Sequence, residues 1–437
     1  MEKIVIIGAG LTGLSAAYHL EKQGFYNYKI FEKESEPGGL CRSIHQDGFT
    51  FDYTGHLLHI GDQYFRSLIQ SVVGTKNFNL IKRKSFIFSH DTYTHYPFQV
   101  NLRGLPTNII SDCIEGFINK KNYKHPLSKT IFYYWALKHF GRGMAKHFFF
   151  PYQKKIFCYD LKKLSTSWMG RFVPKTSLDQ IIEGITQDPE EKNIGYNSQF
   201  YYPKKDGINY WVQKFAETLK NPIHISHHVK YVDLKNKAVI FSNGTTENFT
   251  KLITTMPLNI LLRSLKEPSN SFLKSKHHKL LCNSVLNFNL GIDRPNISDM
   301  HWAYFPEKKY PFYRMGFYHN FSNSLVPKNH SSLYGEISYR SASAQKKENL
   351  ILNGKNAAKN ILNFSDKNIA TEKILDIKPA YVIYDRWRDK NLSKIHRRLN
   401  EDSVHSIGRY GEWKYSSMQE AILDGKQTVE KILPRKN

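Results

Sequence analysis

The chain has 437 residues, of which 40% are hydrophobic and 14% aromatic, and a formal net charge of +25. This composition is typical of a globular protein with two or three lobes and excludes a disordered chain. The lysines are spread along the chain in short runs. We therefore expect a basic surface with a pocket for an anionic ligand, and no nucleic-acid partner.

We expect neither export nor membrane insertion nor metal binding. No signal peptide is expected, because the first strand begins as early as Lys3, and no apolar run approaches the roughly 18 residues of a membrane-spanning helix. The cysteines lack CxxC spacing, so we expect reduced thiols in a cytoplasmic protein. His56 and His59 could touch one metal ion, but no third ligand has suitable spacing, and no metal site is predicted.

The first predicted element is an apolar, β-branched strand, Ile4–Ile7, that runs directly into a glycine-rich turn and a helix. Gly8 permits a tight turn, Gly10 lets the backbone reach a pyrophosphate, and Gly13 lets the helix pack on the strand. The N-terminus of the helix would face the phosphate charge. This order predicts the start of a dinucleotide-binding domain.

A second predicted strand, Tyr28–Phe31, ends at Glu32, whose carboxylate can accept both hydroxyls of an adenosine ribose. A glycine pair ending at Gly39 and then Arg42 follow, a combination suited to the far side of the pyrophosphate. NAD domains usually continue into another βαβ unit here, whereas this pattern resembles FAD-binding proteins of the amine oxidase type. We predict FAD bound non-covalently, because no cysteine follows Cys282 for C-terminal attachment.

Hydrophobic periodicity predicts the remaining elements. Helices are expected at 109–118, 129–140, 177–185, 207–219 and 418–433. Strands are expected at 223–225, 229–232, 238–241, 252–257, 285–290, 312–318 and 333–339, with 285–382 rich in strands.

The nucleotide-type segments are interrupted twice along the chain. This order of segments predicts an α/β fold with a discontinuous Rossmann-type FAD-binding domain, a helical insertion and an antiparallel β-sheet substrate domain. The expected boundaries are 1–90, 200–257 and 396–437 for the FAD-binding domain, 91–199 for the mostly helical substrate domain and 258–395 for the sheet domain.

Several inner segments resemble the UDP-galactopyranose mutases, most closely the eukaryotic class, and the resemblance covers nearly the whole chain. The segments that carry it are 55–56, 96–99, 150–157, 196–203, 301–306, 311–314 and 408–415. The two segments between 301 and 314 are the most specific, because in the family they carry tyrosine and arginine groups that bind the substrate diphosphate.

The resemblance implies a role for each segment. Further cofactor contacts are expected from Gly55, Val229, Gly408, Arg409 and Met418. Substrate contacts are expected from Tyr96, Phe98, Gln99, Gln153, Phe157, Asn197, Trp302, Tyr304, Arg314, Tyr381 and Tyr415. Catalytic roles are expected for Arg314, for Arg171 and for His56, which would shape the pocket around the flavin N5. A structural turn residue is the alternative reading of His56.

The residue types suit a nucleotide-sugar diphosphate without reference to the family. Arg314 is permanently charged and forked, while the hydroxyls of Tyr304 and Tyr415 donate hydrogen bonds without adding charge. Rings such as Tyr96 and Trp302 can stack on a base or on the apolar face of a sugar. The plainer interpretation of any single aromatic residue is core packing, and that of Arg314 is a surface charge.

The sequence also departs from the family pattern. The family places a diphosphate-binding arginine on a mobile loop after a tryptophan, but here Phe172 takes that position and Arg171 lies one residue earlier. Such an offset points a side chain elsewhere in a helix or a strand. Gln153 and Phe157 replace an asparagine and a tryptophan, and Phe321 replaces a tyrosine. We therefore expect altered substrate binding.

The resemblance implies an FAD-dependent nucleotide-sugar mutase-like enzyme of cell-surface polysaccharide biosynthesis. It would isomerise a pyranose to a furanose through an adduct between the sugar and N5 of the reduced flavin, without net redox change. The cofactor would be active only when reduced. The alternative is an amine-oxidase-like FAD-dependent oxidoreductase acting on a small molecule, and a third possibility is a non-catalytic flavin- or nucleotide-binding protein. The sugar, the nucleotide, the flavin reductant and the oligomeric state stay open.

Overall fold

The computed structural model describes residues 2–169, 173–187, 198–266 and 271–433. Its helices are α1 Leu11–Lys22, α2 Gln63–Val72, α3 Thr107–Asn119, α4 Phe132–Met144, α5 Phe150–Phe157, α6 Leu178–Thr186, α7 Asn209–Ala216, α8 Leu258–Ser264, α9 Ser271–Lys274, α10 Ala344–Leu362, α11 Arg386–Glu401, α12 Gly408–Gly411 and α13 Met418–Ile432. Its strands are β1 Ile4–Ile7, β2 Tyr28–Phe31, β3 Ser43–Gln46, β4 Phe49–Asp52, β5 Phe78–Lys82, β6 Ser85–Ser89, β7 Thr92–His95, β8 Gln199–Pro203, β9 Ile223–His224, β10 Val229–Asp233, β11 Ala238–Phe241, β12 Thr246–Asn248, β13 Lys251–Thr254, β14 Ser284–Ile292, β15 Trp302–Tyr304, β16 Arg314–Gly316, β17 Ser331–Tyr339, β18 Ile369–Ile377 and β19 Val404–Ser406.

A parallel five-stranded sheet, in the order β19-β13-β1-β2-β9, carries the glycine-rich turn. The side chains of β1 are at most 4% exposed, as is usual for a parallel strand covered on both faces. The helix α1 packs against α13, where a Cβ on Gly425 would come within 2.7 Å of the Ser15 Cβ atom. Because its strands come from both ends of the chain and from the middle, the predicted discontinuous Rossmann-type domain is confirmed.

A second, seven-stranded sheet has the order β18-β14-β17-β16-β15-β6-β7. Its pairs are antiparallel except for β15 with β6. The central strands β14 and β17 are paired from Ser284 opposite Tyr339 to Ile292 opposite Ser331. Both β6 and β7 lie in this sheet, on either side of the boundary expected at residue 90. The antiparallel sheet region is therefore confirmed, while the domain boundaries stay a prediction.

The helices α3 to α6 form a third region with a phenylalanine-rich core, and a π-helical turn, Ala145–Phe149, joins α4 to α5. The close approach of α3 and α4 depends on Gly141. Its φ is +76°, and a Cβ atom there would overlap the carbonyl of Gly116. The helices predicted at 109–118, 129–140 and 177–185 correspond to α3, α4 and α6, with ends that differ by at most four residues.

Two long helices, α10 and α11, are not predicted by the periodicity, and α10 lies inside the region expected to be rich in strands. Of its 19 residues only Gly354 and Ala358 are buried, so it contributes little apolar pattern. In α11 the buried side chains are Ile395, Leu399 and an arginine, Arg388. The strand expected at 312–318 is shorter than predicted, because β16 covers only three residues.

Within the described ranges, no helix is long and apolar enough to cross a membrane. The same part of the chain contains no group of three histidine, cysteine or acidic side chains arranged to hold a metal ion. All four cysteines are free thiols.

Candidate cofactor and substrate site

The glycine-rich turn leaves space for an anion at the start of α1. A Cβ atom on Gly8, whose φ is +97°, would overlap Thr255, and one on Gly13 would overlap the carbonyl of Gly8. Gly10 has more room, with the Cα atom of Gly39 nearest at 3.8 Å. No side chain caps the first amide groups of α1. These amides and the helix dipole can therefore receive a phosphate.

Glu32 lies at the end of β2 with its side chain buried. Its Oε2 atom accepts a hydrogen bond from the Ala9 amide at 2.7 Å, and Oε1 accepts one from the Glu34 amide at 3.1 Å. Each carboxylate oxygen can accept a second hydrogen bond. The carboxylate is thus held in place by the backbone while it retains capacity for the hydroxyls of a ribose.

The second glycine pair closes the other side of the crevice. The Gly38 amide donates to the carbonyl of Ala9 at 2.9 Å, and a Cβ on Gly39 would come within 3.2 Å of the Gly10 Cα atom. The Arg42 Nε atom donates to the Gly39 carbonyl at 2.9 Å. The two glycine segments therefore face each other backbone to backbone, as a narrow pyrophosphate site requires, and the residues present fit FAD.

The C-terminal segment contacts this crevice through Gly408. Its φ is +78°, and a Cβ there would come within 2.5 Å of the Thr12 Oγ1 atom on α1. The next residue, Arg409, is held by a hydrogen bond from Nη1 to the Ser416 carbonyl at 2.8 Å. Its guanidinium carbon lies 4.9 Å from the centre of the Tyr415 ring.

The other predicted cofactor residues lie at the ends of elements. Met418 begins α13, next to a capping box formed by Ser417 and Glu420. Val229 begins β10, and both side chains are almost fully buried. Gly55 packs so closely on Tyr334 that a Cβ would overlap its hydroxyl oxygen.

His56 is half-buried and close to the charges of two arginines. Burial, together with the positive charges of Arg409 and Arg314, lowers its pKa to about 4. Its Nδ1 atom is buried and has no hydrogen-bond partner among the described residues. The imidazole is therefore neutral at neutral pH, and the fold brings His56 together with both arginines.

Arg314 is not a surface charge, since the fold pairs it with a buried carboxylate. Its Nε and Nη2 atoms donate to the Glu336 Oε1 atom at 3.0 and 2.6 Å. Glu336 is completely buried and lies opposite Arg314 in the β16–β17 pairing. Burial disfavours the guanidinium charge, but the carboxylate outweighs it and holds the pKa of Arg314 above its ordinary value. Sequence reasoning missed Glu336, although a lone acid in an apolar strand was a signal.

Tyrosines surround this ion pair. Tyr304 lies directly opposite Arg314 in the β15–β16 pairing, and its ring is 5.0 Å from that of Tyr96 and 5.5 Å from that of Tyr152. Burial raises the pKa of Tyr304, and it raises that of Tyr381 to about 12. Both phenols therefore stay protonated at neutral pH and can donate hydrogen bonds.

Tyr381 contacts Tyr313 and the predicted substrate residue Phe157. Its hydroxyl is 3.4 Å from that of Tyr313, and its ring lies 6.2 Å from Phe157. Phe157 also packs against Trp168, at 5.3 Å between ring centres. Tyr415 is 38% exposed, the most open of the predicted substrate tyrosines.

The segment 96–99 carries three of the predicted substrate contacts, Tyr96, Phe98 and Gln99. Gln99 is buried and its Nε2 atom donates to the Pro174 carbonyl at 3.0 Å, while the ring of Phe98 is fully buried and stacks on Phe148. The guanidinium carbon of Arg83 lies 5.0 Å from the centre of the Tyr96 ring. Sequence reasoning missed Arg83, which stands in a short basic run that looks like ordinary surface.

The remaining predicted residues differ in how far the structure describes them. Gln153 is buried on α5, in the same helix as Phe157. Trp302 is also buried, with its ring 5.9 Å from that of Phe200. Arg171 and Asn197 lie outside the described residues, so their predicted contacts stay predictions.

Sequence similarity to known proteins supports the cofactor assignment. Residues 6–72 match the NAD(P)-binding Rossmann-like domain family. Coproporphyrinogen III oxidase of Staphylococcus aureus is 22% identical over 338 residues, which are 69% of this chain and 69% of that protein. The family match includes both glycine segments of the crevice and Glu32.

Solved structures extend the similarity to the whole chain. A crystal structure of reduced UDP-galactopyranose mutase superposes with a TM-score of 0.92 at 27% identity, covering 99% of this chain and 94% of that one. A putative protoporphyrinogen oxidase from Exiguobacterium sp. 255-15 superposes with a TM-score of 0.75 at 13% identity, covering 99% and 98%, and supports the fold alone. With the fitted crevice, these similarities identify FAD as the cofactor. The chain is an FAD-dependent protein that is similar to UDP-galactopyranose mutase over nearly its whole length and shares its fold with the putative protoporphyrinogen oxidase.

Proposed function

We propose that the protein is an enzyme that interconverts the pyranose and furanose forms of a sugar carried on a nucleoside diphosphate. The observation that carries this proposal is Arg314, which is held by the buried Glu336, lies opposite Tyr304 and is close to His56. The similarity to UDP-galactopyranose mutase over 99% of the chain supports it.

The diphosphate would bind to Arg314 and the neutral phenols around it. A nucleotide-sugar diphosphate carries about two negative charges and needs donors that stay in place. Glu336 already orients the guanidinium through two hydrogen bonds, and a guanidinium has further N–H groups to donate. Tyr304, Tyr381 and Tyr415 can complete the set without adding charge.

The nucleoside would lie against Tyr96, Gln99, Gln153 and Phe157. Tyr96 offers an aromatic face for a base, and the two glutamines offer amide groups for hydrogen bonds to its edge. Phe98 packs behind this set, stacked on its neighbour in the core. Because glutamine and phenylalanine stand where the family has asparagine and tryptophan, we expect a nucleotide or sugar preference of its own.

FAD would be held at its pyrophosphate by the backbone of Gly10 and Gly39, and at its ribose by Glu32. In the reduced state, bound FAD supplies a nucleophilic ring nitrogen. His56 is neutral, so it shapes the pocket without adding a charge. The tyrosines and Arg314 bind the nucleoside diphosphate, which is the anionic leaving group, and hold it in position.

The test is the stoichiometry of turnover. Enzyme reduced once with dithionite and kept anaerobic should convert many molecules of a UDP-sugar, with products identified by mass spectrometry. Oxidised enzyme should be inert, since only reduced FAD supplies the nucleophile. A panel of nucleotide sugars tested in this way would also identify the substrate.

A redox enzyme acting on a small molecule is the second candidate, favoured by the 22% identity to coproporphyrinogen III oxidase. Such an enzyme would work from oxidised FAD and consume one electron acceptor for each product formed. Product that appears only with matching acceptor consumption would replace the mutase proposal with this one.

A further inference from the structure

The ammonium group of Lys155 joins two parts of the proposed ligand site. Its Nζ atom donates to the carbonyl oxygens of Phe305 at 2.7 Å, of Glu307 at 2.6 Å and of Phe312 at 3.1 Å. An ammonium has three N–H donors, so all of them are used by these carbonyls. Lys155 therefore has no donor left for a ligand.

The three carbonyls belong to the connection between β15 and β16. This connection begins directly after Tyr304 and ends directly before Arg314, the residues proposed to hold the diphosphate. The side chains of Phe305 and Phe312 are completely buried, so the connection is packed as well as hydrogen-bonded. The position of this connection therefore depends on the position of the Lys155 side chain.

Lys155 itself belongs to the helix α5. The helix carries Gln153 and Phe157, two of the proposed nucleoside contacts, and its Tyr152 ring meets Tyr304 edge to face. Ring contacts of this kind hold two elements less firmly than three hydrogen bonds from one side chain. The lysine is thus a polar tie between the helix and the connection that joins the two strands.

We propose that Lys155 is a positioning residue that sets the spacing between the nucleoside and diphosphate parts of the ligand site. The inference rests on the proposed function. Two linked ligand fragments gain affinity only when both sites are held at the span of the linkage. Loss of the tie should remove this gain and leave the affinity for each separate fragment nearly unchanged.

The test compares UDP, uridine and inorganic pyrophosphate by calorimetric titration of FAD-loaded protein. In Lys155→Met we expect UDP to bind about tenfold or more weakly, while the affinities for uridine and pyrophosphate change less than about threefold. Lys154→Met is the matched control. It removes the neighbouring, exposed lysine of the same helix, and we expect all three affinities to be retained.

Lys155→Arg is a second test of the inference. Its outcome does not depend on whether the fold tolerates an apolar side chain at position 155. Arginine keeps the charge, but its flat fork does not suit three carbonyls grouped around one point, so the same selective loss of UDP is expected. Flavin content and melting temperature would be recorded for every variant.

Unchanged UDP affinity in flavin-loaded Lys155→Met or Lys155→Arg would overturn the inference about Lys155 and leave the proposed function unaffected. An equal loss for all three ligands would also overturn it, because it would show general collapse of the site. Wild-type protein that binds none of the three ligands would contradict the proposed function, and the inference with it.

Discussion

The two ligand-binding regions of this molecule are built in opposite ways. The FAD crevice is made of backbone, and its critical residues are glycines such as Gly8 and Gly13, where a side chain would overlap a neighbour. The proposed diphosphate pocket is made of side chains and depends on one ion pair, between Arg314 and the buried Glu336. A backbone site is damaged by added atoms, whereas a pocket with a buried charge is damaged by removed ones.

The largest effect should come from breaking the ion pair. Arg314→Met leaves the Glu336 carboxylate buried and unpaired, which should lower the free energy of unfolding by about 3–5 kcal/mol. It should also weaken UDP binding by about 2 kcal/mol or more, the scale of charge-assisted contacts. Denaturant unfolding and UDP titration measure the two effects.

A double variant separates stability from ligand binding at the same position. Arg314→Met with Glu336→Leu removes both charges, so stability should recover while UDP binding stays weak. If UDP affinity returned together with stability, Arg314 would have no direct part in binding the diphosphate.

The glycines give the opposite experiment in the crevice. Gly13→Ala should destabilise the protein by about 3 kcal/mol or more, because the added Cβ overlaps the Gly8 carbonyl. Gly10→Ala has its nearest atom at 3.8 Å and should change stability by less than about 1 kcal/mol, yet it should release FAD by occupying the pyrophosphate space. Urea unfolding and flavin absorbance after gel filtration measure both. A Gly10→Ala protein that retains FAD would contradict the prediction that the FAD pyrophosphate occupies this crevice.

His56 lies between the two regions and makes stability depend on pH. Its folded pKa, about 4, is below the ordinary 6.5, so the unfolded state binds the proton first as the pH falls. The contribution of His56 to the free energy of unfolding is fully present above pH 6.5 and is lost as the pH falls from 6.5 to 4. In His56→Asn the slope of unfolding free energy in this window should be flatter by up to about 1.4 kcal/mol per pH unit. The exposed His228→Asn is the control, and equal slopes for the two variants would contradict the prediction.

The smallest effect should come from a single phenol. Tyr381→Phe removes one hydroxyl donor from the proposed pocket and should weaken UDP binding by about 1 kcal/mol with little change in stability. Tyr93→Phe, on β7, is the matched control. A loss of affinity no larger in Tyr381→Phe than in the control would remove Tyr381 from the proposed set.

How much of the site could be predicted depended on how far apart its parts lie in the chain. The crevice was predictable because its strand, turn, helix and acid follow one another within about 40 residues, and each residue type has a local backbone role. The helices α10 and α11 were not predictable, since α10 buries only small residues and α11 buries a charged one.

The sequence by itself determined the α/β class, the FAD crevice and the segments that resemble the mutases, because local periodicity and glycine spacing encode them. Only the tertiary structure decided that Arg314 pairs with Glu336, that His56 is kept neutral between two arginines, and that Lys155 ties a helix to a strand connection. In each case the deciding contact joins residues from different elements. Burial then sets the charge state, and linear patterns contain no information on burial between distant segments.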